Sequence, residues 1–463
     1  MSSRIVDVDI EELTAAGDGL AHAGRLRIAV PFTIPGERVR VRLDPGRDGR
    51  VFPALLDVLR ASPHRVRARC IHFGPDAVPG LGACGGCAWQ HIAYPEQLRL
   101  KTALVDRLVG AAVPGAPRAR AMLAATPLDQ PWGYRNKVHF VFGNLRFGGR
   151  RQDTTLVMGH YARGSRRVIP VRECPVHDER GNELAFRARD AFAAAGVNAA
   201  GTDGGVLRSL VVRVGCHTPE IMATLVVSSD SDRRLRTATR RVLEDDAPTS
   251  MHLNLHEKDD EFIFGERTRR LQGSERMRDQ VAGTSFLMSP AAFFQTNVRA
   301  AEILVSLVVD AIPEASRVVD LYAGSGLFAI PLALAGHEVL AEVENPLAVG
   351  DGEAALRLNA AARDRYRFAA RGVEGTLASL RRADVVVLDP PREGCSPSVL
   401  REVFQRLRPA RVVLVSCNPE ALSTELTTID RNGYRIRSLQ PVDMFPHTAH
   451  IETVAILDRL ESV

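Results

Sequence analysis

Arg317-Val-Val-Asp-Leu-Tyr-Ala-Gly-Ser-Gly326 is the stretch whose reading decides the fold. Residues 317–321 read as a buried strand, and Gly324 and Gly326 follow where that strand must turn into a helix. A side chain at either glycine would hold a ligand away from the backbone. A lone G-x-G loop is a weak signal for any one nucleotide, but no Lys-Ser/Thr pair follows it, which excludes a triphosphate loop. The next strand candidate spans 338–343. Glu344 ends it, placed to accept hydrogen bonds from both hydroxyls of a ribose.

Two further strand candidates, 383–388 and 411–415, end on turns that carry reactive groups. In Val385-Val-Val-Leu-Asp-Pro-Pro-Arg392 two prolines hold Asp389 on a rigid, extended turn. In Val415-Ser-Cys-Asn-Pro-Glu420 the thiol of Cys417 falls at a strand's carboxyl edge, where open α/β sheets bind ligands. Taken alone, Cys417 reads equally well as a small buried hydrophobe. Helical stretches at 300–312 and 346–361 lie between the strands, and 453–457 closes the series. The alternation predicts a Rossmann-like α/β domain with a doubly wound, mostly parallel sheet over residues 284–463.

Working back toward the N-terminus, β-type runs at 4–10, 25–30, 37–43 and 51–59 are separated by Gly and Pro-Gly turns. They predict a small OB-like β-barrel over residues 1–62. Residues 63–283 predict a mixed α+β domain. It has a helix near 95–112 that could pack on the catalytic domain, and strand-like runs at 138–142, 207–214 and 221–227. A chain of 463 residues is too long for one core, in keeping with three parts. No apolar run is long enough to span a membrane, and the N-terminus lacks the apolar core of a signal peptide. A cytoplasmic monomer with no membrane partner is the expectation.

Charge is unevenly spread. Residues 61–186 hold 18 Lys+Arg against 9 Asp+Glu, a local +9 within a chain of net +5, which leaves −4 elsewhere. A basic segment on a near-neutral body suits a polyanion such as RNA. Arg135 and Lys137, with the arginines at 163–167, are the expected contacts, and plain solvated charge is the other reading. Cys70, Cys84, Cys87 and the distant Cys174 form one C-x-x-C pair with two separated cysteines. That spacing does not fit the two pairs of a zinc ribbon, and it does fit thiolate ligation of an iron–sulfur cluster. Zinc, or four unligated thiols, stay open on spacing alone.

Asp389-Pro-Pro-Arg392, Ser416-Cys-Asn-Pro419 and His450-Ile-Glu-Thr-Val454 together resemble the RNA 5-methyluridine methyltransferases. That family includes the tRNA T-loop enzyme and the 23S rRNA uridine enzymes. Phe293-Phe-Gln-Thr-Asn297 is similar to its Phe-Phe-Gln-x-Asn segment, and Cys84-Gly-Gly-Cys-Ala-Trp-Gln-His91 to its iron–sulfur segment. The N-terminal β module resembles its TRAM domain, so the likeness covers nearly the whole chain. It implies S-adenosyl-L-methionine (SAM) as methyl donor and uracil in tRNA or 23S rRNA as acceptor. Asp320 then sits where SAM enzymes hold the cofactor loop. Cys417 is implied as the nucleophile that adds to carbon 6 of uracil, and Glu452 as the base that removes the carbon-5 proton. Gln295, Tyr322, Glu344 and Asp389, beside Gly324 and Gly326, are implied as SAM-contacting positions. A 4Fe–4S cluster on Cys70, Cys84, Cys87 and Cys174 is implied as well. The target base must leave its stack to reach such a crevice.

Leu327 departs from the pattern, standing where the family often has Asn, and Cys395 reads as structural. Two rival readings are an RNA 5-methylcytidine methyltransferase and a non-catalytic RNA-binding or chaperone protein. The first would need a second catalytic cysteine, which Asp-Pro-Pro-Arg lacks. The second would need neither Cys417 nor Glu452.

Overall fold

The computed structural model describes residues 3–46, 50–75, 77–146, 154–201, 204–244, 247–258, 260 and 262–460. Period-two patterning builds its N-terminal part: β1 (Arg4–Asp9), β2 (Glu12–Leu13), β3 (Gly19–Ala23), β4 (Leu26–Val30), β5 (Arg38–Pro45) and β6 (Val51–Arg60). They form two three-stranded sheets, β1-β5-β6 and β2-β3-β4. Along β5 the arginines Arg38, Arg40 and Arg42 face water while Val39, Val41 and Leu43 are buried. Arg38 and Arg40 meet acids of β1, Arg40 at 2.8 Å from Asp7, and Arg42 pairs with Asp44 of β5 itself. The inward side chains close a core with Val8, Ile28 and Val30.

The central part comprises α1 (Tyr94–Ala112), β7 (Leu123–Ala124), β8 (Lys137–Arg146), β9 (Thr154–Tyr161), β10 (Val168–Pro170), α2 (Glu179–Ala194), β11 (Leu207–Val214), β12 (Ile221–Val227), α3 (Arg233–Glu244), β13 (Ser250–Leu255) and β14 (Arg267–Gly273). Seven of its strands form one sheet in the order β10-β9-β8-β11-β12-β13-β14. Its one parallel pair, β12 with β13, is joined through α3, as a parallel pair requires a crossover. Phe140, Leu210 and Leu225 of the sheet pack with Phe192 of α2 and Leu235 of α3.

The C-terminal part holds β15 (Met277–Val281), β16 (Thr284–Met288), α4 (Val298–Ala311), β17 (Arg317–Leu321), α5 (Ala329–Leu334), β18 (Glu338–Glu342), α6 (Pro346–Leu358), β19 (Tyr366–Ala369), α7 (Val373–Ser379), β20 (Val385–Leu388), α8 (Pro397–Arg401), β21 (Arg411–Ser416), α9 (Pro419–Arg431), β22 (Tyr434–Asp443) and β23 (Glu452–Arg459). Its sheet runs β19-β18-β17-β20-β21-β23-β22-β7, with β23 antiparallel to both neighbours. Residues of α4 and α5 bury one face, and residues of α1, α7, α8 and α9 bury the other. Chain order reverses between β17 and β20, which opens the crevice at their carboxyl ends. The β15–β16 hairpin crosses the boundary drawn at 283/284 and puts Phe286 into this core. No helix among the described residues is long and apolar enough to cross a membrane.

The central chain also reaches into the C-terminal sheet. β7 pairs in parallel with the end of β22, and α1 lays Leu104, Val105 and Val109 against the α9 side of the sheet. Lys101 of α1 makes an ion pair of 2.6 Å with Asp443, the last residue of β22, both side chains being wholly buried. Burial pulls the ammonium pKa down while Asp443 holds it up. Replacing one partner strands the other charge in a dry interior. Lys101→Met should therefore cost on the order of 3–5 kcal/mol of stability, read from denaturant midpoints, and adding Asp443→Leu should recover much of it.

Candidate active site

Cys417 stands between the end of β21 and the start of α9. Asn418 caps α9, its side-chain oxygen accepting from the N–H of Glu420 at 3.0 Å. The same carboxamide donates to the carbonyl of Arg392 at 3.0 Å, which ties the thiol's turn to the Asp-Pro-Pro-Arg turn. β21 and β23 pair Ser416 with Thr453, so the next step along the antiparallel register sets Cys417 opposite Glu452. Glu452 is buried, and burial, then the charge of Asp389, pushes its carboxyl well above the usual range. Burial alone pushes Asp389 up to about 7. The Cys417 thiol is pushed up to about 11, first by burial and then by Glu452, while Arg392 opposes the rise. The Cys417 thiol and the carboxyls of Glu452 and Asp389 thus come together on one rim.

The neighbouring loop is shaped for a ligand. Tyr322, Gly324 and Gly326 adopt left-handed backbone with φ of 65°, 55° and 87°. A Cβ on Gly326 would lie 2.9 Å from Ile330, so only glycine fits. Asp320 is wholly buried, and neither of its carboxyl oxygens finds a hydrogen-bond partner. Ser325 Oγ and Glu342 Oε1 are also unpartnered. Burial, then Asp389, drives the Asp320 carboxyl far up. This dry cradle with waiting acceptors fits a nucleoside-bearing ligand.

Some predicted residues take different places. β18 stops at Glu342, and Glu344 lies beyond it, exposed, on the loop leading to α6. The residue that closes the strand is Glu342, which sequence reading missed; its Oε2 accepts from the N–H of Tyr322 at 3.2 Å. The signal available was its place two residues ahead of Glu344, at the end of the apolar run. Leu327 is buried with Val339 and Ile330 in the core. Gln295 is half-buried on the loop before α4. That loop is pinned by Arg213 donating to the Ala292 carbonyl (3.0 Å), Asn136 N–H to the Thr296 carbonyl (2.8 Å) and Asn297 Nδ2 to the Met444 carbonyl (2.9 Å).

Cys70, Cys84, Cys87 and Cys174 line one cavity of about 130 Å³ in the central part. Gln90 accepts from the N–H of Cys70 at 3.0 Å, and Gly86 N–H donates to Cys84 Sγ at 3.4 Å. Burial pushes Cys70 up to about 11 and Cys84 and Cys174 up to about 12. Among the described residues no three His, Cys, Asp or Glu side chains form a group that could hold a metal ion. Arg135, expected on an RNA surface, instead walls this cavity, with its guanidinium 5.7 Å over the Phe445 ring. Lys137 is drawn inward as well, burial and then Arg213 lowering its pKa to about 7. Arg163 pairs with Asp18 at 2.6 Å, and Arg167 donates to the Gly80 carbonyl. Positive charge in the sequence therefore overstated the free basic surface, because several of its arginines serve the protein's own structure.

The fold and the rim define a SAM-dependent methyltransferase. Residues 356–460 match the model of the tRNA (uracil-5-)-methyltransferase family. An RNA methyltransferase of Gloeobacter violaceus is 35% identical over 99% of this chain and 97% of its own. One of Halalkalibacterium halodurans is 32% identical over 98% and 97%. The crystal structure of Pyrococcus abyssi tRNA (uracil-54, C5)-methyltransferase with S-adenosyl-L-homocysteine aligns with a TM-score of 0.74. It is 25% identical and covers 98% of this chain and 100% of that one. The chain belongs to the RNA methyltransferases.

The Arg392 cation holds the Cys417 thiol down. Arg392→Ala should raise the thiol pKa and slow alkylation of Cys417 severalfold at pH 8. Iodoacetamide labelling of the Cys417 peptide across pH 7–10 measures this. A curve that does not move toward higher pH would remove Arg392 from the thiol's electrostatics.

Proposed function

We propose that this enzyme forms 5-methyluridine in structured RNA, tRNA or 23S rRNA, through a covalent adduct between Cys417 and carbon 6 of the target uracil. The observation that carries the reading is the cross-strand placement of Cys417 against Glu452, with Asp389 close enough to act on both electrostatically. Carbon 5 of uracil is a poor nucleophile. When the Cys417 sulfur bonds to carbon 6, electron density moves to carbon 5 and the O4 side becomes enolate-like. SAM supplies an electrophilic methyl group to that carbon. Glu452 then takes the carbon-5 proton, the electron pair reforms the 5,6 double bond, and the sulfur leaves. A buried Glu452 with a raised pKa is a stronger base once ionised, and suits this step.

Gln295, Tyr322, Gly324, Gly326, Glu344 and Asp389 would hold SAM, with the unpartnered Asp320 and the tied Glu342 behind them. The unsatisfied oxygens of Asp320 and the glycine cradle support that assignment. In the central part, four thiols around one cavity support a 4Fe–4S cluster on Cys70, Cys84, Cys87 and Cys174, because such a cluster needs four spaced thiolates. Zinc would need the thiols drawn together around one ion. The two N-terminal sheets would form a TRAM-like barrel, and with the central part would hold the RNA.

Cys417→Ala should abolish methylation and leave SAM affinity nearly intact. Glu452→Gln should slow turnover by roughly 10²–10⁴-fold and accumulate an RNA–protein adduct on denaturing gels. Absence of an adduct while Cys417 remains reactive would take the base role from Glu452. Mass analysis of RNA from a strain lacking the gene identifies the uridine that loses its methyl group.

Anaerobically purified protein should contain about four irons per chain, with a broad absorption near 400 nm, roughly as thiolate-bound iron clusters show. Zinc without iron in elemental analysis would replace the cluster assignment.

A further inference from the structure

We propose that a second pocket on the same rim, built around Asn136, receives a nucleobase of the RNA close to the methylated uridine. The proposal rests on RNA being the substrate, and it adds a residue that reads a neighbouring base.

The place follows from strand register. Cys417 lies opposite Glu452, Glu452 pairs with Val442, and Val442 pairs with Leu123 of β7. Carried one residue past the end of β21, the register sets Cys417 in one row with these three residues. At about 4.8 Å per strand, the end of β7 is roughly 14 Å from Cys417. The chain leaving β7 passes Thr126 and Trp132, which form one wall of a cavity of about 340 Å³. Asn136, Cys216, Arg180 and Arg299 lie on its other sides. That volume is in the range of small-molecule pockets.

Asn136 is 5% exposed, and neither the oxygen nor the nitrogen of its side chain has a hydrogen-bond partner. Its backbone, by contrast, is fully used: the N–H donates to the Thr296 carbonyl at 2.8 Å and the carbonyl accepts from Val214 at 2.7 Å. The backbone thus holds an unsatisfied carboxamide in place at the cavity. A buried amide left unpaired is costly, so such an arrangement points to a ligand that satisfies it. A carboxamide offers a donor and an acceptor side by side, and the edge of a nucleobase presents the complementary pair. Arg180 is engaged by Asp178 at 3.0 Å and by the Gly215 carbonyl at 2.8 Å, which leaves the exposed Arg299 as the guanidinium suited to the attached phosphate. The bond from Asn136 to Thr296 ties this pocket to the loop carrying Gln295, so a base seated here is registered against the methyl-transfer site. Extruding the target uridine also unstacks its neighbours, which makes one of them available.

Cys216 provides a readout independent of methylation, being half-buried in the same cavity. Full-length protein is treated with N-ethylmaleimide, and alkylation of Cys216 is followed by peptide mass spectrometry. The runs are made with and without millimolar AMP, GMP, CMP or UMP. At least one nucleotide should slow Cys216 alkylation severalfold in the wild type. The slowing should vanish in Asn136→Ala and weaken in Arg299→Ala, an exposed position whose substitution spares the core. Protection of Cys216 by none of the four nucleotides, or undiminished protection in Asn136→Ala, overturns the proposal. If Asn136→Ala loses SAM binding and hence its fold, Asn136→Gln and Arg299→Ala carry the same comparison. Cys417 in the same digests reports the methylation crevice separately. UMP shielding Cys417 with Cys216 unshielded would reject this pocket while leaving the uracil site standing.

Discussion

Lys101 of α1 and Asp443 at the end of β22 meet at 2.6 Å with both side chains out of water. Lys101 also donates to the carbonyl of Phe445 at 3.1 Å. One turn earlier on α1, Gln97 accepts from the N–H of His447 and holds its ring nitrogen at 3.2 Å. The segment between β22 and β23, which delivers Glu452 to the rim, is therefore placed by a helix outside the catalytic sheet. His447 itself has left-handed backbone, φ 64°, which costs a non-glycine residue on the order of 1–3 kcal/mol. The Gln97 bonds, stacking on Trp132 at 3.8 Å and the carbonyl's acceptance of two amides offset that strain. A buried ion pair is a poor source of net stability, but a strict one of geometry, since any shift exposes an unpaired charge.

Around that fixed segment the chemistry is governed by desolvated acids. Asp320, Glu342, Asp389 and Glu452 all have carboxyls raised by burial, and three of them are raised further by another acid nearby. A dry, acid-rich crevice favours neutral acids when empty and rewards a ligand that brings positive charge. A sulfonium donor has that property. The same field raises the Cys417 thiol, with Arg392 opposing the rise.

Legibility followed burial. Strands buried on both faces, such as β17, β20 and β21, read directly as apolar runs, and their bounds fall within two residues of expectation. So did the positions of Cys417 and Asp389, because a strand's carboxyl end is fixed by the strand. Short or side-chain-poor pieces did not read: β2 and β7 have two residues each, and β3 is Gly-Leu-Ala-His-Ala. Their pairing is decided by tertiary neighbours, not by period. Charge misled at Arg135 because a guanidinium serves as well against a buried cavity and an aromatic face as against phosphate. Glu342 was passed over for Glu344 because a two-residue step along a strand keeps the same face, and only the point where pairing stops separates the two.

The thiol cavity and the methylation rim share one mechanical path. Cys87 is followed directly by Ala88 and Trp89, and the amides of both donate to the His447 carbonyl at 2.9 Å. Trp89 is wholly buried and reaches across to the N-terminal part, its ring N–H donating to the Gly17 carbonyl at 2.8 Å. Arg135, on the cavity wall, spans to Phe445 on the other side. Three parts of the chain thus converge on residues 443–450, and the turn carrying Cys84 and Cys87 is one of the supports. Each link is a hydrogen bond or a packed ring. The cysteine turn bears on the rim through position, by helping to hold the segment from which Glu452 emerges.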